Sequence, residues 1–499
     1  MRKEFEAQLQ LDSIPIGEVE IDMRSRHELP QLLAGLQHIF TNEALRTAVL
    51  KVLSEAILSE KKATGRLGMS LWELFVLGCC RLNLNIDYDN LHDLSNNHHS
   101  LRGILGVATR GYLPNVKHYC LQTIKDNVGL LTEDNLNEIN KIIVNEGHQL
   151  KKKEGKILEL NLKADSFVVE RHIHFPTDIR LLWDCVHKCI GFIKLLKSVV
   201  DISGLRNYKS IRKKIKRLYT LTARIHKRKG NNYIKRLQDS TEEYLAATYP
   251  LLKKVNDLVE ALSEIIDSKP HLATKLESLK YYRDMLKKHI DLVDRRILQG
   301  EQIPHSEKVF SIFEPETEWL KKGKVHPNVE LGHNVLIVTD QFHFIVYHKV
   351  AVKEQDKDLV IPLGKELQER FKEKCKLYSI SFDKGFWLKS NKEAMEKIFD
   401  IVVMPKKGKP TIAEKEAYQA DNYKTYKRKH SAVESNINEL EQGGLDKVAD
   451  KGLDGFKKYV AWGVLAYNLK RLGRLCMEQQ KAKAKKLQKA KKRKLKKAS

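Results

Sequence analysis

Cysteine is scarce and scattered. Cys79, Cys80, Cys120, Cys185, Cys189, Cys375 and Cys476 form no Cys-x-x-Cys pair and no spaced framework, which argues against a disulfide-stapled secreted domain and leaves reduced thiols. Cys185, His187 and Cys189 make one Cys-x-His-x-Cys run, but on a helix only Cys185 and Cys189 share a face, so packing is favoured over zinc. Long apolar runs are missing too: nothing approaches the roughly 20 residues that cross a bilayer, and MRKEFEAQLQLDSIP has no apolar signal core. No membrane partner and a cytoplasmic location are therefore expected. No GxSxG elbow, P-loop or Rossmann fingerprint occurs, nor any internal repeat.

Acids are in deficit. Across 499 residues, 64 Asp and Glu face 90 Lys and Arg, a net charge of +26. Such a balance points to a polyanion, with nucleic acid the first choice. Residues 479–499 form a Lys-rich tail, with eleven Lys or Arg and no acid from Lys481 onward; it is expected to stay disordered until it meets nucleic acid. Removing it leaves the rest of the chain still basic.

The length suggests two to four domains. Residues 1–150 carry apolar positions at three and four spacing and read as a helical N-terminal DNA-binding domain. Within it NIDYDNLHDLSNNHHSLRGILGV, residues 85–107, breaks the pattern; a helix-turn-helix-like reader and an ordinary small helical domain both fit. At Ile157 the period becomes two: Leu158, Leu160, Leu162 and Ala164 alternate with Glu159, Asn161, Lys163 and Asp165, so Asp165 lies on the polar face of a half-buried strand. Residues 151–180 thus start an α/β core, and 181–300 read as a helical insertion. There RNYKSIRKKIKRLYTLTARIHKRKGNNYIKRL, 206–237, has thirteen Lys or Arg and no acid. These would repel one another unless phosphates neutralise them, which makes Arg212, Lys213, Lys216 and Arg217 candidates for DNA contact. Strands are expected again at 309–314, in a hairpin at 332–352 and at 376–387, completing the core over 301–478.

Three acids stand out by position: Asp165 on the first core strand, Asp383 at the end of a later one and Glu434 on a following helix. Clustered carboxylates need cations between them, and hard oxygen donors select Mg²⁺ or Mn²⁺. Two such ions roughly 4 Å apart serve an in-line phosphoryl displacement without a nucleophilic side chain.

The stretches ADSFVVERHIHFPTDIRLLWD, SIFEPETEWLKKGKVHPNVELGHNVLIVTD, SFDKGFW and KHSAVESNINELEQGGLDKV, in this order, resemble the DDE transposases of bacterial insertion sequences, close to the ISNCY group. The likeness covers most of residues 157–475. It implies an RNase H-like mixed sheet flanked by helices, interrupted by a large helical insertion and preceded by an all-helical domain. It also implies that Asp165, Asp383 and Glu434 hold two Mg²⁺ or Mn²⁺ ions. The implied partners are the element's terminal inverted repeats and target DNA, engaged by a homodimer or larger synaptic complex that cleaves and joins strands. Where some relatives carry Tyr, Arg and Lys around the last acid, this chain has Lys427, His430 and Glu441; His430, beside Arg428, is a candidate phosphate contact.

Other acids and histidines have structural readings. Asp178 follows Pro-Thr where a helix cap is expected, and Asp340 sits at a hairpin turn. His172 and His174 share a strand face and suit packing or phosphate better than Mg²⁺. Trp319 with Lys321, Lys322 and Lys324 suits DNA-end binding, against the alternative of a solvated loop. Two other functional classes stay open: an endonuclease on the same core without strand transfer, and a DNA-binding protein without catalysis.

Overall fold

The computed structural model describes residues 2–6, 12–58, 68–109, 116–153, 156–199, 205–228, 230–321, 328–372 and 374–498. The chain divides into two compact units, Met1–His172 with Leu320–Ser499, and Ile173–Trp319. The second interrupts the first in sequence.

Among the described residues seven strands form a mixed sheet: β1 (Leu158–Arg171), β2 (Glu318–Leu320), β3 (Glu330–Thr339), β4 (Ile345–Ala351), β5 (Cys375–Phe382), β6 (Ile401–Val403) and β7 (Lys447–Val448). Its longer strands run β4-β3-β1-β5-β6. The β4–β3 and β3–β1 pairs are antiparallel, the β1–β5 and β5–β6 pairs parallel, and β7 pairs with the far end of β1. The expected alternation along β1 is present, with Leu160, Leu162 and Ala164 buried. The hairpin turns at Asp340, whose carboxylate accepts from the N–H groups of Phe342 and Phe344 at 2.8 and 2.9 Å. The strand expected at 309–314 is absent: Ser311 Oγ accepts from the N–H groups of Phe313 and Glu314, a local turn that takes these donors away from any ladder.

Among the described residues seven α-helices precede β1, from Glu28–Thr41 to Glu133–Lys151, and their apolar faces join the sheet and the helix Gly452–Ala498 in one core. Helix Glu28–Thr41 lies against that last helix through Gly35 and Gly473; a Cβ at Gly473 would strike the Gln31 carbonyl, so the backbones can meet only without side chains there. Residues 85–107 hold two helices, Tyr88–Asn97 and His99–Leu105. Their polar residues act as caps: Asp87 accepts from the Asn90 N–H, and His98 from that of Leu101. Helix Gly452–Ala498 runs on through the Lys-rich tail, in contrast to the disorder its charge led us to expect. Lys, Ala, Leu, Gln and Arg are all strong helix formers, and no Gly or Pro interrupts them.

The second unit is helical, built on Asp178–Leu196, Tyr208–Lys227, Tyr233–Ile265 and Ala273–Val293, with its own core around Leu182, Val186, Ile190, Leu258 and Leu286. Cys185 and Cys189 lie in this core and burial pushes both thiols up, Cys189 to about 12. His187 instead stacks on Trp183 at 5.9 Å, so the Cys-x-His-x-Cys run is packing. Thr177 caps Asp178–Leu196, accepting from the Arg180 N–H. Asp178 is the first helical residue, not the cap, and pairs with Arg296. Among the described residues no helix is long and apolar enough to cross a membrane.

Each unit buries a histidine whose charged form desolvation disfavours: His289 and His348 are lowered to about 4. The unfolded chain takes up these protons near pH 6.5, whereas the folded chain refuses them until about pH 4, so stability falls as pH drops through that window. Each histidine contributes on the order of 2–3 kcal/mol. Urea unfolding at pH 7 and pH 4.5 should show the loss, and His348→Gln should remove the part carried by the first unit.

Candidate active site

Ala164 of β1 pairs with Phe382 of β5 in parallel register. One step further along each strand stand Asp165 and Asp383. They share the face opposite Leu162, Ala164, Ile380 and Phe382, because side chains alternate. The strands are adjacent, so two acids more than two hundred residues apart in sequence become neighbours in the sheet. Asp165 is half-buried, and its Oδ1 accepts from the Ser166 N–H at 2.7 Å. Asp383 starts the short turn Lys384–Phe386, and its side chain is 66% exposed.

The helices Asp421–His430 and Ala432–Leu440 pass over this region; the first packs on β5 and β6, the second on β1 and β3. His430, at the end of the first, is held between Ser381 of β5 and Asp383 just past the strand's end. Its Nε2 lies 3.2 Å from Asp383 Oδ1 and its Nδ1 2.9 Å from Ser381 Oγ. Glu434 is in the first turn of the second helix and exposed. The site thus comprises a carboxylate on β1, a second just past the end of β5, a third on an overlying helix, and an imidazole tethered to the second.

All-oxygen donors of this kind suit a hard divalent cation. Among the described residues, however, no three or more His, Cys, Asp and Glu side chains are gathered so that they could hold a metal ion. Asp165 and Asp383 are brought together by the sheet, while Glu434 is placed over it without closing a ready-made cage.

Asp340 has a different role from these acids. It is fully buried, binds its own turn, and its Oδ2 lies 2.6 Å from His148 Nε2, so it is a structural carboxylate as its turn position implied. His172 and His174 do not share a strand face, because β1 ends at Arg171. The His172 N–H donates to the Val448 carbonyl at 3.1 Å, and His174 Nε2 pairs with Asp184 at 2.9 Å.

In the helical unit, Arg212, Lys213, Lys216 and Arg217 all lie on the exposed side of Tyr208–Lys227, whose inner side is Ile215, Leu218, Thr222 and Ile225. Among the described residues none of the four pairs with a carboxylate, and Arg212 Nη2 meets His187 Nε2 at 3.4 Å. Trp319 contacts Phe175 and Phe310 at 5.6 and 5.4 Å between ring centroids. Arg428 and Lys321 are exposed; Lys322 and Lys324 lie outside the described residues. Sequence reasoning missed Ser381 and Lys163. Both stand two positions before a candidate acid on its own strand face, a spacing that alternation alone could have flagged.

No family model, no curated protein and no solved structure matches the chain. The geometry therefore carries the functional argument. It predicts opposite costs for two aspartates: Asp340→Ala strands His148 and two backbone N–H groups and should cost on the order of 3–5 kcal/mol. Asp383→Ala, at an exposed position, should cost less than about 1 kcal/mol. Chemical denaturation of both variants measures the difference.

Proposed function

We propose that the protein is a DNA transposase of the DDE type, using an RNase H-like core to cleave and join DNA at the terminal inverted repeats of an insertion sequence. The observation that carries this reading is the parallel register Ala164–Phe382, which sets Asp165 on β1 and Asp383 just past β5 one step beyond the same pair, with Glu434 on the helix above. A mixed sheet with its first strand in the middle, antiparallel to β3 and parallel to β5, is compatible with the RNase H-like core that the resemblance implies.

In this reading Asp165, Asp383 and Glu434 hold Mg²⁺ or Mn²⁺. Ions held there would supply activation of an attacking oxygen and stabilisation of a leaving one. The chain's own residues prepare that site. The Ser166 N–H fixes one oxygen of Asp165, and His430, braced on Ser381, holds one oxygen of Asp383. Such supporting contacts set ligand orientation and typically alter metal affinity 10–100-fold when removed. His430 thus acts through Asp383 rather than on phosphate.

DNA as the substrate is supported by the net charge of +26, the unpaired cations of helix Tyr208–Lys227 and the Lys-rich end of the last helix. Neutralising these cations on the phosphate backbone gives affinity that falls steeply with salt. Working on two element ends calls for a homodimer or larger synaptic complex.

The test uses purified protein, Mg²⁺ or Mn²⁺ and a duplex bearing the repeats that flank its coding sequence. Wild type should cleave and join, and Asp165→Ala, Asp383→Ala and Glu434→Ala should each lose about 100-fold or more. Cleavage without joining would instead indicate an endonuclease, and tight binding without cleavage a DNA-binding protein. His430→Ala should weaken Mn²⁺ binding, followed by calorimetry, by about tenfold, with His430→Gln retaining most of it.

A further inference from the structure

Lys163 and Ser381 are paired in register on β1 and β5, two positions before Asp165 and Asp383 and on the same sheet face. Above them pass the helix residues around Tyr426 to Ser435, and the hairpin turn at His343 closes one side, leaving a pocket of about 360 Å3. Lys163 is at its floor and only 6% exposed. Its Nζ donates to the Asp340 carbonyl at 2.8 Å. Burial draws its pKa down, the nearby Asp340 charge opposes this, and Lys429 adds to it. Arg428 and Lys429 are exposed at the rim, with Lys429 Nζ 4.9 Å from the Tyr426 ring centroid.

No Asp or Glu lines this pocket. A solvated cleft between a helix and a sheet would explain the rim cations, which can extend into water. It does not explain Lys163: the Asp340 carboxylate nearby is committed to His148 and to two backbone N–H groups, Lys163 reaches only the Asp340 carbonyl, and a buried ammonium gains from a further anion. Three cations, a serine hydroxyl and a tyrosine around one concavity are the donor set that recognises tetrahedral oxyanions. We propose that this pocket binds a phosphate group, with Lys163 at the floor and Arg428 and Lys429 closing over it. The phosphate belongs to a DNA strand or is free in solution; the chemistry of recognition is the same. The site stands independently of the transposase reading, because binding there needs neither metal nor cleavage.

The test titrates the full-length protein with inorganic phosphate against sodium chloride at matched ionic strength, without divalent metal, using phosphorus NMR and the thermal midpoint. Saturable binding is expected, weakened about tenfold in Lys163→Met. The double variant Arg428→Gln/Lys429→Gln changes only exposed residues, so it keeps the test valid if Lys163→Met fails to fold, and it should bind several-fold more weakly. Displacement of bound phosphate by an oligonucleotide with a terminal phosphate, but not by its hydroxyl counterpart, supports the site and assigns it to a strand end. Equal displacement by both supports it and assigns it to an internal phosphodiester, and no displacement supports a site for free phosphate. Non-saturable uptake, or equal binding by wild type and the double variant, overturns the proposal.

Discussion

The double pairing of β1 is the constraint on which the first unit depends. Its fourteen residues bond antiparallel to β3 on one side and parallel to β5 on the other. A hairpin can supply the antiparallel partner of a neighbouring strand, but a parallel partner needs a long crossover. Here the chain between β1 and β5 includes the whole helical unit, the β3–β4 hairpin and the helix Asp356–Phe371. Because the strands run the same way, their ends lie together, and residues that follow the same register step on each become neighbours. The candidate site is a consequence of that register.

Buried polar groups hold the surrounding pieces in place. Asn468 of the last helix accepts from the Ile345 N–H and donates to the Ile345 carbonyl, each at 2.8 Å, and also donates to Asn140 Oδ1 at 2.7 Å. One side chain thereby joins the start of β4 to two helices that are distant in sequence. Asp340 does comparable work at the hairpin turn, using both carboxylate oxygens. Such contacts specify one arrangement because any other leaves buried donors or acceptors unpaired.

The two helices over the sheet's polar face set the electrostatics of the site. They bring His430 onto Asp383 and, on the neighbouring stretch of the same face, enclose Lys163 with cations and hydroxyls. Charge is therefore sorted along the strands, with acids at Asp165 and Asp383 and, two positions earlier, the ammonium of Lys163 and the hydroxyl of Ser381. An imidazole pairs with one ring nitrogen to the carboxylate and with the other to a hydroxyl, a geometry that an arginine at position 430 would not reproduce.

Much of this was legible in the residues themselves. The change from a helical period to a period of two at Ile157 marked β1 and put Asp165 on its polar face, since alternation is a local property of extended backbone. The hairpin at 332–352, the helical block after Pro176 and the exposed cations of Tyr208–Lys227 followed from similarly local patterns, whereas Ser311 defeated the strand expected at 309–314 by bonding its own backbone. The tail misled because charge and helix propensity pull in opposite directions, and Gly452–Ala498 follows propensity. The sequence by itself determined which segments are extended or helical and which residues carry charge. Only the tertiary structure decided that Asp165 and Asp383 each follow the same paired step of β1 and β5, that His430 binds the latter and that Lys163 is buried, because strand register and helix placement are set by contacts between residues far apart in the chain.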